Sequence, residues 1–340
     1  MEAQRITTDV AIIGAGPVGL FTVFQAGMLG MKTTVIDVLP EIGGQCQALY
    51  PQKPIYDIPA HPMVTGEELI ENLRKQAEPF APEYVLGGMV EQLTKDNNAW
   101  QMVTSLGVTV EAKVVIIAAG CGAFGPNKPP LVGIERHEGN QVFYMVKDRQ
   151  SFKDKMLVIA GGGDSAVDWA NSLAELAKKI YVVHRRDKFR AAPDSVRKMQ
   201  ELAAQGKVEL VIPYQLEAIQ EDASRRMTGV MVKTLEGEER ILPADALLAF
   251  FGLSMNLGPI SDWGLNLSKN HIAVDPATMA TSASGIYAIG DIATYTGKLK
   301  LILCGFSEAA IACHNAYNQV FPGKALHFEY STTRGVPGEK

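Results

Sequence analysis

The chain has 340 residues, 47% of them apolar, and a formal net charge of −5. That length accommodates about two domains, and the composition is that of a globular protein with no low-complexity tract. The mild acidity gives no reason to expect nucleic acid or an anionic membrane surface as a partner.

In chain order, the apolar run 10–13 reads as a buried parallel strand. It leads into Gly14-x-Gly16-x-x-Gly19, with Pro17 inside the turn, and the apolar pattern then continues at helical spacing. This is the dinucleotide-binding turn. Gly14 permits the tight bend, Gly16 lets a pyrophosphate approach the backbone, and Gly19 lets the helix pack on the strand. The helix N-terminus, with its free N–H groups, faces the phosphates. Asp37 closes the next apolar run, 33–36, about where the fold needs an acid for a ribose hydroxyl. A membrane helix over 10–31 is the competing reading. Three glycines and a proline between positions 14 and 19 argue against it, as does the absence of flanking basic clusters. No signal-peptide pattern is read there either.

Residues 39–51, rich in glycine, proline and polar side chains, read as a structured loop carrying Gly44, Gln45, Cys46 and Tyr50. A helix is expected from Thr65 to about Gln76, where Thr65 and Glu68 have capping-box spacing. Residues 85–110 read as a small antiparallel meander. The apolar strand 114–119 follows, then a glycine-rich exit through 120–126 that fits a crossover between domains. The pattern restarts at 156–160 with Gly161-x-Gly163-x-x-Ala166, where Asp164 and Ser165 open a helix to about Ala177. The next strand, 180–183, ends in His184, Arg185 and Arg186, with Arg190 close behind. Arginine forks suit a 2′-phosphate that an acid would repel, so this half is expected to take NADPH over NADH. Residues 208–242 read as further short strands and 247–252 as the return crossover. The run 285–291 is an apolar strand ending in Gly290-Asp291, with Asp291 placed to accept from a cofactor hydroxyl. A helix is expected over 305–320. Its N-terminus could stabilise an anionic ring.

The four cysteines, Cys46, Cys121, Cys304 and Cys313, form no C-x-x-C pair. With no export signal read, a reduced cytoplasmic setting is expected. Cys46 reads as a small packed residue, since the position that would complete a C-x-x-x-x-C pair is Pro51.

Together Gly14-x-Gly16-x-x-Gly19, Gly43-Gly44-Gln45, Gly161-x-Gly163-x-x-Ala166, His184-Arg185-Arg186 and Ala288-Ile289-Gly290-Asp291 resemble the thioredoxin reductase lineage of two-domain flavoproteins, over nearly the whole chain. The lineage's redox C-x-x-C before the second glycine turn would fall near Tyr144-Met145-Val146-Lys147-Asp148. The aspartate is present and both cysteines are missing, which argues against thioredoxin reduction. The cysteine-less relatives with an aromatic C-terminal extension are the bacterial ferredoxin–NADP⁺ reductases of the thioredoxin reductase type, and this chain looks like that group.

The resemblance implies an α/β fold with two Rossmann-like, three-layer ββα nucleotide-binding domains, the second inserted in the first. The expected division is 1–120 with 283–340 for FAD and 121–282 for NADPH. It also implies FAD at Asp37, Gln45, Tyr50, Val90, Phe124, Asp291 and Thr332, with Tyr50 on one flavin face and Tyr330 on the other. A homodimer and a ferredoxin or flavodoxin partner are implied as well, and because Tyr50 must yield for the nicotinamide to reach the ring, a rotation between the domains at the two crossovers is expected. Hydride from NADPH would pass to the flavin, which releases electrons singly to an iron–sulfur protein. No side chain need act as acid or base. An NADPH oxidase or quinone reductase would use identical cofactor sites. A disulfide reductase using Cys46 with a distant thiol, and a redox-sensing binder of both dinucleotides, also remain open.

Overall fold

The computed structural model describes residues 4–96, 99–122, 125–254, 256–326 and 331–336. The chain forms two compact units, residues 1–124 with 255–340, and residues 125–254, so the second is inserted in the first.

In the first unit β1 (Arg5–Ile13) is the central strand. It pairs in parallel with β2 (Thr33–Asp37) on one side and with the strand Thr109–Ile117 on the other, Ile12 standing between Val35 and Ile116. Strand Glu83–Leu86 extends the sheet beyond β2, and Ile286–Ala288 runs parallel to the far half of Thr109–Ile117. Val10, Ala11 and Ile12 are fully buried, as a strand covered on both faces requires.

One face is covered by α1 (Pro17–Met28) and α6 (Ile302–Val320), which bring Val23, Ala26, Ala309, Ala312 and Ala316 onto Val10, Ile12 and Ile116. The other face carries Met102 of the antiparallel ribbon Val90–Asp96/Ala99–Thr104, together with Leu257, Ile260, Leu265 and Ile272. These last contacts explain why residues 255–282 belong to this unit, although the sequence reading places them in the inserted domain. Their apolar side chains close the lower face of the first sheet.

The second unit repeats the plan. Five parallel strands run in the order Val142–Phe143, Ala246–Ala249, Met156–Ala160, Lys179–Val183 and Val208–Val211. Helices α4 (Asp164–Leu173) and α5 (Pro193–Ala204) cover one face. An antiparallel sheet of Gln215–Glu221, Met227–Lys233 and Glu239–Pro243 covers the other through Met227, Val230, Val232 and Leu242. Each unit is thus a three-layer ββα sandwich, and the chain is an α/β protein of two nucleotide-binding-type domains.

Several elements depart from expectation for local reasons. The loop 39–51 contains the short helix α2 (Gly44–Leu49), entered through Gly43 in the left-handed region. Glu83–Leu86 is a parallel strand on β2 rather than the first strand of a meander. Residues 109–117 form one strand, antiparallel to Ala99–Thr104 in its first half and parallel to Ile286–Ala288 in its second. Ala246–Ala249 is an interior strand between two parallel neighbours, not a crossover, which is why all four residues are buried. Helix α5 has no counterpart in the sequence reading, although Pro193 at its first turn and Gly206 just past its end mark its limits. Helix α3 (Gly66–Ala77) matches its expectation: Thr65 and Glu68 form the reciprocal capping box.

Candidate functional site

The first cleft forms at the C-terminal edge of the first unit's parallel sheet. Side-chain-free backbone dictates its floor. Gly14 has φ +115°, and a Cβ there would lie 2.3 Å from Ala118 O. At Gly19 it would lie 1.9 Å from Gly14 O, so α1 packs on β1 only because both residues are glycine. Gly16 differs: an added Cβ would meet nothing closer than Gly44 Cα at 4.0 Å, so its smallness serves what enters the cleft rather than the packing of the chain. Helix α1 has no side-chain cap at Gly16, and α6 has none at Leu301. Both helix starts line the cleft, so two partially positive N-termini open onto it.

Asp37, at the end of β2, anchors the turn. Its Oδ2 accepts from Ala15 N–H at 2.6 Å and its Oδ1 from Leu39 N–H at 2.8 Å. Burial raises its pKa against the lowering effect of these bonds. Each carboxylate oxygen still has a lone pair for a ribose hydroxyl.

Around this floor the cleft opens about 1130 Å³ of space. Gly14, Gly16, Pro17, Asp37, Gly44, Gln45, Tyr50, Val90 and Asp291 all line it. Gly19 sits behind the turn against β1. Thr332 is exposed on the short helix α7 (Ser331–Arg334) and is not among the lining residues. Phe124 and Tyr330 lie outside the described residues. The sequence reading missed the wall formed by Met89, Leu257, Pro259, Ile260 and Trp263. Only apolar packing against a sheet face built from distant segments brings residues 257–263 beside Val90, so no local pattern marks them.

At the other end Tyr50, Cys46 and Asp291 come together. Cys46 Sγ donates to Tyr50 Oη at 3.6 Å. Burial pushes the Tyr50 phenol well above its ordinary value, and the neighbouring Cys46 and Asp291 add to the shift. Burial likewise pushes the Cys46 thiol up to about 11. Cys46 is therefore a protonated, packed thiol at neutral pH, and all four cysteines are free.

The second unit carries its own cleft. Gly161, at φ +150°, again leaves no room for a Cβ, which would lie 2.5 Å from Phe250 O, while a Cβ on Gly163 would meet nothing within 4 Å. Buried Ala166 packs on the turn, and Asp164 and Ser165 are exposed in the first turn of α4. Asp164 Oδ1 accepts from Ala192 N–H at 2.9 Å. Arg190 N–H donates to Gly162 O at 2.6 Å, tying the basic loop to the glycine turn. Gly161, Gly163, His184, Arg185, Arg186 and Arg190 line this cleft, joined by Lys128. The His184 ring stacks on Phe189 at 5.1 Å, and burial, followed by the nearby arginines, lowers its pKa. Its ring is neutral at pH 7, and the arginines supply the cleft's positive charge. Tyr144 and Asp148, where a redox pair would fall in the thioredoxin reductase lineage, are structural. Tyr144 Oη donates to Glu138, and Asp148 caps the 3-10 turn Arg149–Phe152.

The donor sets fit two dinucleotides: one with free ribose hydroxyls at Asp37, one with an added phosphate at the arginines. Two such clefts in one chain define a two-dinucleotide oxidoreductase. A family profile described as pyridine nucleotide-disulphide oxidoreductase matches residues 8–317. A ferredoxin–NADP reductase of Paramagnetospirillum magneticum is 58% identical over 331 residues, covering 97% of this chain and 98% of that relative. One from Rhodospirillum rubrum is 55% identical over 341 residues, covering 99% of each chain. Among solved structures, Lactococcus lactis thioredoxin reductase superposes with a TM-score of 0.78 at 26% identity, over 92% of this chain and 99% of its own. The chain belongs to the pyridine nucleotide-disulphide oxidoreductase family, and membership implies binding of FAD and a nicotinamide dinucleotide. It is an FAD-dependent NADPH oxidoreductase that transfers electrons.

Proposed function

We propose that this chain is a ferredoxin– or flavodoxin–NADP⁺ oxidoreductase, working as a homodimer with FAD in the first cleft and NADPH in the second. The observation that carries this reading is a dinucleotide cleft whose lining cysteine is buried and protonated. Among the described residues Cys46 is the one cysteine lining the first cleft, and it is buried and protonated. A disulfide substrate needs a thiolate to exchange with, whereas an iron–sulfur or flavin partner needs only electrons. The names of the relatives at 58% and 55% identity support the same partner class. Among the described residues no helix is long and apolar enough to cross a membrane.

In this reading Gly14, Gly16 and the start of α1 take the pyrophosphate of FAD, Asp37 its ribose, and Val90 and Met89 its adenine end. Gln45, Tyr50 and Asp291 hold the other end. Gly161, Gly163, Asp164, Ser165 and Ala166 seat the NADPH pyrophosphate, and His184, Arg185, Arg186 and Arg190 face its 2′-phosphate. Bound FAD supplies the two-electron acceptance and one-electron release that side chains cannot. The chain's own task is to hold the rings, exclude water with the apolar wall Leu257–Ile260 and Leu301–Ile302, and keep Tyr50 neutral beside Asp291.

Stopped-flow mixing of the flavin-loaded protein with NADPH, followed by cytochrome c reduction with and without ferredoxin, tests the proposal. Fast flavin bleaching with ferredoxin-dependent cytochrome reduction is expected. Fast bleaching with no ferredoxin dependence would overturn it in favour of an oxidase or quinone reductase.

A further inference from the structure

Glu308 stands out as a charged side chain buried in the core of α6, only 2% exposed. A carboxylate taken out of water is strongly destabilising unless it is fully bonded. Here it is. One oxygen, Oε2, accepts from Gly290 N–H at 2.7 Å, and the other, Oε1, accepts from Tyr295 Oη at 2.7 Å and pairs with Lys298 Nζ. Lys298 is itself buried, with 6% of its side chain exposed.

One of these partners lines the first cleft, and a second lies just before another lining segment. Gly290 and Asp291 form one wall at the end of strand Ile286–Ala288, with Gly290 in the left-handed region at φ +72°. Lys298 leads directly into Leu301 and Ile302, which form another. The same turns meet at Val18 of α1. A Cβ on Gly305 would lie 2.4 Å from Val18 Cγ2, and one on Gly290 3.6 Å from it. The carboxylate thus joins the Asp291 turn to the segment entering α6, and both pack on Val18 at the start of α1.

We propose that Glu308 is a positioning residue for the bound flavin nucleotide, acting through Gly290 N–H to fix the Asp291 turn against the cofactor. The Lys298–Tyr295 pair holds the carboxylate aimed at that N–H. This inference rests on the first cleft holding FAD.

The test compares Glu308→Ala with the double variant Lys298→Met/Glu308→Leu, both as flavin-loaded protein. Measured are thermal unfolding, release of FAD by the rise in its fluorescence, and the shape of the bound flavin absorption band. Glu308→Ala strands the Lys298 charge and should lose both thermal stability and FAD. The double variant removes both charges and fills the space with apolar atoms, so it should recover the unfolding temperature. It leaves Gly290 N–H without its acceptor, so FAD retention should stay about tenfold or more weaker than in the parent, with an altered flavin band. A double variant that recovers stability and binds FAD like the parent, with the same band, would overturn the proposal and leave Glu308 a purely structural ion pair. If even the double variant fails to fold, Glu308→Gln keeps an oxygen for Gly290 while losing the charge. The positioning role then requires FAD retention closer to the parent than Glu308→Ala shows, and equal loss in both refutes it. Failure of the parent chain itself to take up FAD would instead remove the reading of the cleft.

Discussion

Replacing Arg185 and Arg186 together by alanine should remove most of the preference for NADPH over NADH. Both guanidinium groups are exposed at the rim of the second cleft, on the loop that follows strand Lys179–Val183. A hydrogen bond to a charged group contributes about 1.5–3 kcal/mol where it is desolvated, and exposed pairs fall toward about 1 kcal/mol. Two arginines on one phosphate then contribute about 2–3 kcal/mol, or about 30- to 150-fold in KM for NADPH. NADH lacks that phosphate, so its kcat/KM should change by no more than about threefold. Some preference should survive, because Arg190 and Lys128 line the same cleft and Arg190 is fixed to the glycine turn through its own N–H. The assay is steady-state kinetics with each nucleotide at two salt concentrations. Between about 0.01 and 0.1 M salt the Debye length shortens from about 30 to about 10 Å, so the parent's advantage with NADPH should shrink with added salt and the double variant's far less. An unchanged ratio of kcat/KM between the two nucleotides would refute the assignment of these arginines.

Other consequences are as direct. Asp37→Ala strips the acceptor from Ala15 N–H and Leu39 N–H and should weaken FAD retention at least tenfold by fluorescence titration. Parent-like retention would separate Asp37 from the cofactor. Cys46→Ser should turn over ferredoxin at the parent rate within about twofold, since a buried thiol at about 11 is not a nucleophile at neutral pH. Loss of turnover in a folded, flavin-loaded variant would reopen the disulfide reading. His184, its folded pKa held below the ordinary 6.5, is neutral where an unfolded imidazole is charged. Its contribution to stability is complete above about pH 6.5 and is lost as the pH falls through the depressed value. Urea unfolding of His184→Gln should therefore depend less on pH below about 6.5 than unfolding of the parent. An identical slope would remove this account.

Much of this protein was legible one segment at a time, because the chemistry there is local. Gly14, Gly16 and Gly19 must be small for a strand, a helix and a phosphate to meet within one turn, and that need is written at fixed spacing. The same holds for Gly161-x-Gly163-x-x-Ala166, for Thr65 and Glu68 at the start of α3, and for Asp37 and Arg185-Arg186 at the ends of equivalent strands. What could not be read depends on partners distant in the chain. Residues 247–249 look like any short apolar run, and only parallel neighbours on both sides make Ala246–Ala249 an interior strand. The wall from Leu257 to Trp263 belongs to the first unit because its apolar side chains close that unit's sheet, a choice invisible to periodicity. Glu308 is the clearest case. At helical spacing it looks like one more polar position among alanines, and only the folding of residues 290, 295 and 298 onto it turns a charge that should avoid the core into the bond that holds the cleft's edge. Sequence spacing records what a single turn of backbone needs; burial and pairing across the sheet are decided by which segments the tertiary structure brings together.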